Sequence, residues 1–284
     1  MTSAPVSSDN YCYRHPGRQS FVLCQRCGRT VCPECQVQAA VGVHCVECAQ
    51  RDRREAPRVN RGRPAFLRNL TGSDAPVVTY SLIAICVVVF ALQSIPGLGV
   101  TGALQFAPAY VLPIPGAPFE PWRMLTSVFT HGSILHLLLN MYTLFVFGSG
   151  LERLLGRWRY LALFLISGLG GSVAVVLLGD PLGGVVGASG AIFGLMGAFF
   201  VINRHLGGSS IQLVVLVAIN LAYGFFVPGI SWQAHLGGLA VGLLVSFIYV
   251  RTRPIRMKNR QILLVAAVVV GLIAITVVRA LVQA

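Results

Sequence analysis

Ser189, in the run Gly187-Ala188-Ser189-Gly190, and His235, in Ala234-His235-Leu236-Gly237-Gly238, each sit inside a stretch apolar enough to cross a bilayer. The first is a nucleophile-type side chain and the second a base-type one. A histidine that removes the hydroxyl proton lets the serine oxygen attack a carbonyl carbon, and it later returns that proton to the leaving amine. The pair therefore points to hydrolysis of a peptide bond inside a membrane. His136 and Asn140 lie four residues apart, on one face of a helix, and could both donate to an oxyanion.

Isolated serines and histidines in membrane helices usually serve only to join helices, so the four residues must be shown to meet. Hydropathy and length place seven helices at about 77–95, 133–151, 158–178, 188–203, 210–227, 232–250 and 261–282. Between the first two runs a segment broken by Pro96, Pro108, Pro113, Pro115, Pro118 and Pro121, too interrupted to be a span. With the N-terminus in the cytoplasm, Arg153, Arg157, Arg159, Arg204, Arg251, Arg253, Arg256, Lys258 and Arg260 all fall inside, leaving only Arg123 and Arg279 outside. Depth then follows from the helical rise. Ser189 is about 22 Å from Arg204, His235 about 24 Å from Arg251, His136 about 24 Å and Asn140 about 18 Å from Glu152. The four share one layer, somewhat below the outer surface of a hydrocarbon core about 30 Å thick. Small-residue stripes, Gly190/Gly194/Ala198 and Ala234/Gly238/Gly242, would let their helices approach closely.

The acidic residues narrow the chemistry. Asp9, Glu34, Glu47, Asp52, Glu55, Asp74, Glu120, Glu152 and Asp180 are the full set, and none lies in mid-span. That excludes an embedded Ser-His-Asp triad and an intramembrane aspartyl protease. There is no His-Glu-x-x-His motif, and the Gly-x-Ser-x-Gly elbow fails because position 191 is Ala. A Ser–His dyad needing no catalytic cofactor remains.

The bulk composition agrees. Of 284 residues 55% are hydrophobic and 11% charged, with a mean hydropathy of +0.72, which is wrong for a soluble domain. The net charge of +13 is spread beside apolar runs rather than gathered on a face, so it marks a cytoplasmic membrane surface and not nucleic-acid binding.

Four regions follow: a Cys-rich head at 1–50, a basic linker at 51–75, a membrane core at 76–252, and a basic loop with an additional helix at 253–284. The linker, with Arg51, Arg53, Arg54, Arg58, Arg61, Arg63 and Arg68, reads as a tether beside anionic headgroups. The first 75 residues hold no apolar core of signal-peptide length. The head spaces its ligand-type residues as Cys12-x2-His15-x8-Cys24-x2-Cys27-x4-Cys32-x2-Cys35-x9-Cys45-x2-Cys48. Eight ligands in four two-residue-gapped pairs suit two closed tetrahedral Zn2+ sites, and a reducing compartment disfavours disulfides. Four ligands per ion leave no open position for catalysis, so both ions are expected to be structural. The head itself is expected to offer a docking surface to a cytosolic partner. His44 reads as a bystander and Cys86 as packing; Trp122 and Arg123 fit an interfacial anchor for the proline-rich loop as well as a substrate gate, the anchor being favoured, and His131 reads as a brace for the loop.

The segment Trp122-Arg123-Met124-Leu125-Thr126-Ser127, then His131, then His136-Leu137-Leu138-Leu139-Asn140-Met141, Gly-Ala-Ser189-Gly and Ala-His235-Leu-Gly-Gly238 resembles the rhomboid family of intramembrane serine proteases over about residues 77–250. The resemblance implies an all-α polytopic membrane protein with a six-helix core. The serine opens a short fourth helix and the histidine lies on the sixth, and 261–282 is an extra seventh span. It implies cleavage of single-pass transmembrane proteins near their outer ends, with Ser189 as nucleophile, His235 as base, and His136 and Asn140 on the oxyanion side. Phe193 stands where many members have Tyr. The head resembles B-box-type zinc domains, in which pairs one and three hold one ion and pairs two and four the other; spacing alone leaves sequential pairing open. A non-catalytic rhomboid-like scaffold that binds membrane helices is the second reading. A proton-coupled transporter using His136 and His235 is disfavoured, because no intramembrane acid could share the relay.

Overall fold

The computed structural model describes residues 10–39, 42–55, 75–227 and 229–283. Most of the expected linker, 56–74, lies outside them. The chain divides into two compact units, split near Ala65.

The first unit is too small to bury an apolar core, and its interior is made of its cysteines. Cys12, Cys24, Cys32, Cys35, Cys45 and Cys48 are buried around Val31. Two short antiparallel pairs frame them: β1 (Tyr11–Cys12) with β2 (His15–Gln19), and β3 (Val37–Gln38) with β4 (Val43–His44). Helix α1 (Val46–Glu55) carries Cys48 and continues through residues 51–55, where the linker was expected to begin.

The second unit is helical. Its elements are α2 (Val77–Gln93), α3 (Ile134–Leu155, with a π-helical turn at Leu144–Gly148), α4 (Arg157–Leu178), α5 (Ser189–His205), α6 (Ile211–Phe226), α7 (Trp232–Arg251) and α8 (Lys258–Gln283). These match the seven expected helices to within a few residues. Among the described residues α3, α4, α7 and the helical stretch Ile255–Gln283 are long and apolar enough to cross a membrane, while α2 and α6 are shorter apolar helices.

Backbone contact through glycine builds the centre. A Cβ on Gly194 would lie 2.9 Å from the Gly238 carbonyl oxygen, and Cβ atoms on Gly238 and Gly242 would fall onto the backbone of Gly190 and Gly194. On the other side of α7, a Cβ on Gly171 would come within 2.9 Å of the Ala234 oxygen. Helices α4, α5 and α7 therefore touch along their main chains, which is how helices associate where lipid removes the hydrophobic drive between them. Peripheral helices bury little: α6 only Leu213 and Gly224, α8 only Gln261, Leu272 and Thr276. Helix α8 is tied down by Gln261, which accepts from Arg159 Nε at 2.7 Å and donates to Thr252 Oγ1 at 2.8 Å.

The start of α2 has the orphan N–H groups common to every helix, and buried Glu152 of α3 satisfies them. Its carboxylate accepts from Val78 N (2.9 Å), Thr79 N (2.8 Å) and Thr79 Oγ1 (2.8 Å). A negative charge is favoured at that helix end, so α2 and α3 are pinned at one level.

The long proline-broken segment folds into short turns around Arg123. This side chain is buried, donates to Glu120 and to the carbonyls of Gly102 and Gln105, and lies over the Tyr110 ring at 4.1 Å. Arg123 is thus an internal brace rather than the interfacial anchor expected of it, because loop carbonyls supply acceptors that lipid cannot. Trp122 beside it is exposed.

Candidate active site and candidate metal centres

Ser189 is the first residue of α5, and His235 lies in the first turn of α7. Ser231 caps that turn, accepting from Ala234 N at 3.3 Å, and so fixes where His235 emerges. With the two helices held together by glycines 190, 194, 238 and 242, His235 Nε2 comes within 2.8 Å of Ser189 Oγ. The Phe193 ring, one turn along α5, stacks on the imidazole with centroids 4.3 Å apart and planes 10° apart. His235 is buried and its Nδ1 has no hydrogen-bond partner, in keeping with the lack of any acid in mid-span.

The other half of the site comes from α3. Ser133 caps this helix, its Oγ accepting from His136 N at 3.1 Å. His136 and Asn140 then face the stretch leading into Ser189. Gly187, two residues before the serine, lies against them. It adopts φ +118°, and a Cβ there would lie 2.7 Å from His136 Cε1 and 3.8 Å from Asn140 Nδ2. Only glycine meets both demands. Gly187 N donates to Ser127 O at 3.0 Å, and Val185 pairs with Phe106 in an isolated bridge. The braced loop therefore holds the approach to α5 in place. His131 braces as expected: its backbone N–H donates to Gln93 Oε1 at 3.0 Å, and its ring meets His136 edge-on at 5.2 Å.

Ser189 and His235 are thus in contact, and His136 and Asn140 lie against Gly187, two residues before the serine. Gly187, Gly224 and the caps Ser133 and Ser231 were not singled out. Gly224 of α6 faces the histidine, where a Cβ would be 3.2 Å from His235 Nδ1. The caps carried a legible signal, a serine just before an apolar run; the glycines carried none, since their need arises only from neighbours distant in sequence.

In the first unit the ligand atoms form two groups, Cys12/His15/Cys32/Cys35 and Cys24/Cys27/Cys45/Cys48, each with its atoms within 4.8 Å of one another. Pair one joins pair three and pair two joins pair four. Bond lengths to zinc of about 2.3 Å for sulfur and 2.0–2.1 Å for nitrogen imply tetrahedral edges of about 3.8 Å for S···S and about 3.6 Å for S···N. The observed Cys27–Cys45 separation is 3.7 Å, and His15 Nδ1 stands 3.8, 3.4 and 3.5 Å from the sulfurs of Cys12, Cys32 and Cys35. Burial pushes the thiols of Cys12 and Cys24 up, but backbone hydrogen bonds, from Cys32 and Arg14 to the first and from Cys45 and Cys27 to the second, bring each down to about 6, whereas burial and the neighbouring sulfurs push Cys35 up to about 11. His44 is held by Asp52 at 2.7 Å and stays outside both groups.

Fold and site together define a class: polytopic helical membrane proteins with a serine and a histidine hydrogen-bonded between two glycine-packed helices. The Rhomboid domain family model matches residues 118–252. The "Putative rhomboid protease YdcA" of Bacillus subtilis (strain 168) is 34% identical over 187 residues, 64% of this chain and 92% of that protein. The "Rhomboid protease GluP" of the same organism is 34% identical over 176 residues, 60% of this chain and 34% of that protein. "RHOMBOID-like protein 4" of Arabidopsis thaliana is 36% identical over 186 residues, so this chain matches 46% of its length. The chain belongs to the rhomboid family.

Proposed function

We propose that the protein is an intramembrane serine endopeptidase acting on single-pass transmembrane proteins. The observation that carries this reading is the 2.8 Å contact between Ser189 Oγ and His235 Nε2, at the depth where a substrate helix would have to be cut. Ser189 Oγ adds to the scissile carbonyl carbon as its proton passes to His235 Nε2. Negative charge then develops on the carbonyl oxygen. His136, Asn140 and the orphan N–H groups at the start of α5 are the donors on that side. The C–N bond breaks as His235 delivers the proton to the leaving amine, leaving an ester on Ser189. Water, deprotonated by the same histidine, adds to the ester and frees the acid and the serine. Phe193 holds the imidazole plane in place of a third residue.

The chain is oriented with its N-terminus in the cytoplasm and the dyad toward the outer side, in line with the basic residues that flank the helices. In the head the two groups of four ligands fit Zn2+ in donor type and in spacing. The metals would crosslink a unit that has almost no apolar core, and with four protein ligands each they would leave no position open for substrate.

Labelling by a fluorophosphonate probe in membranes tests the enzyme reading. The wild type should be modified, and Ser189→Ala and His235→Ala should not. Equal labelling of all three, or cleavage of a reporter helix that survives Ser189→Ala, would leave only the helix-binding scaffold.

A further inference from the structure

The head bears a feature that neither its ligands nor the protease chemistry uses. Phe21, Val22 and Leu23 are consecutive and exposed, at 74%, 40% and 54%. They do not ride on a loose loop. Val31 N donates to Val22 O at 2.8 Å, Leu23 bridges Thr30, Cys24 N donates to Arg29 O at 2.8 Å, and buried Ser20 donates to Val31 O at 2.8 Å. Three large apolar side chains are therefore presented to solvent by an anchored hairpin, which marks an interaction surface.

We propose that this tip docks on an anionic lipid surface, Phe21 and Leu23 entering the boundary between headgroups and acyl chains. Charge and tethering select lipid over a cytosolic protein. Arg18 and Arg26, flanking the tip, are engaged by Glu34 and by Asp52 and Glu55. The positive charge comes instead from the end of α1 and beyond. Residues 51–75 carry seven arginines (51, 53, 54, 58, 61, 63 and 68) against Asp52, Glu55 and Asp74. Basic residues beside a span attract acidic headgroups. Moreover, the twenty residues from 56 to 75 can reach at most about 70 Å even if fully extended. A tether of that length raises the effective concentration of the tip at a lipid surface, so that a weak apolar anchor suffices. The proposal concerns the exposed tip and does not depend on which metal the head holds.

The test uses the full chain with its metals, one copy per nanodisc. A phosphatidylglycerol carrying a diazirine near the glycerol end of its acyl chain is added to discs with about 30 mol % anionic lipid. Adducts are expected on the tryptic peptide Gln19–Arg26. They should fall at least about fivefold in Phe21→Ser/Leu23→Ser, with metal content and α8 labelling unchanged. They should fall about two- to threefold when Arg58, Arg61, Arg63 and Arg68 are all changed to Gln. The proposal is overturned if α8 is labelled while Gln19–Arg26 is not, if the Ser variant labels like wild type, or if the tip crosslinks to protein rather than lipid. Metal analysis of the same samples separates the two readings: tip adducts on a chain without zinc would sink only the zinc assignment, and two zinc ions without tip adducts would sink only this one.

Discussion

The two units use similar polar residues to opposite ends. In the head, seven cysteines and His15 converge in two closed groups, and all of them but Cys27 and His15 are buried. In the membrane unit, Ser189 and His235 meet without closing, and Ser189 remains partly accessible. Their means of support differ as well. The head has almost no apolar interior, so its ligands must be its core. The membrane unit has apolar surface everywhere, so what it lacks is proximity, and glycines supply it. A closed polar cluster stabilises; an open one, held rigidly by its surroundings, can react.

The comparison is broken most decisively at the dyad. Ser189→Ala and His235→Ala should each cut reporter cleavage in proteoliposomes by at least about 10^3-fold, while helix content and thermal stability stay near wild type. A variant that loses its fold along with its activity would make these residues supports like those of the head. Metal removal probes the other side. Chelation should release two zinc ions per chain and unfold residues 10–55, as read by amide exchange, while exchange in α4, α5 and α7 stays unchanged. Cys32→Ser should weaken the site shared with Cys12, His15 and Cys35 and leave Cys24, Cys27, Cys45 and Cys48 metal-bound; loss of both ions together would undo the separation into two groups.

A smaller effect is expected at Gly187. Gly187→Ala meets an unfavourable φ of +118° and the His136 ring, so kcat should fall about 10^2-fold through misplacement of His136 and Asn140, with fluorophosphonate labelling of Ser189 reduced less than turnover. Glu152→Ala should leave the α2 N–H groups unpaired in an apolar setting. It should cost about 2–3 kcal/mol of stability, measured by detergent denaturation, with little loss of activity at low temperature. Smallest is Phe193→Ala, which removes the stacking on His235. A loss worth about 0.5–1.5 kcal/mol corresponds to roughly twofold to thirteenfold in rate, and Phe193→Tyr should restore it.

Much of the site was legible in advance because helical rise is regular. Counting from Arg204, Arg251 and Glu152 put Ser189, His235, His136 and Asn140 in one layer without any knowledge of how the helices pack. The seven helices were legible for a related reason: a span must be long and apolar, and Pro96 to Pro121 could not be one. Arg123 was misjudged because its partners, the carbonyls of Gly102 and Gln105, belong to an irregular loop whose path no periodicity predicts. Gly187 and Gly224 were passed over because a glycine among many has no sequence mark that tells a required one from an incidental one.

What the amino-acid sequence determined by itself was the polytopic helical architecture and the residue types available for chemistry, since these depend on composition and on the length of single apolar runs. Tertiary structure alone decided three things: that Ser189 Oγ lies within 2.8 Å of His235 Nε2, that Gly187 packs against the His136 ring, and that the head pairs Cys12-His15 with Cys32-Cys35 rather than with Cys24-Cys27. Each depends on azimuth and on chain crossing, which are set by contacts between segments far apart in sequence, and neither the rise of a helix nor the spacing of a motif carries that information.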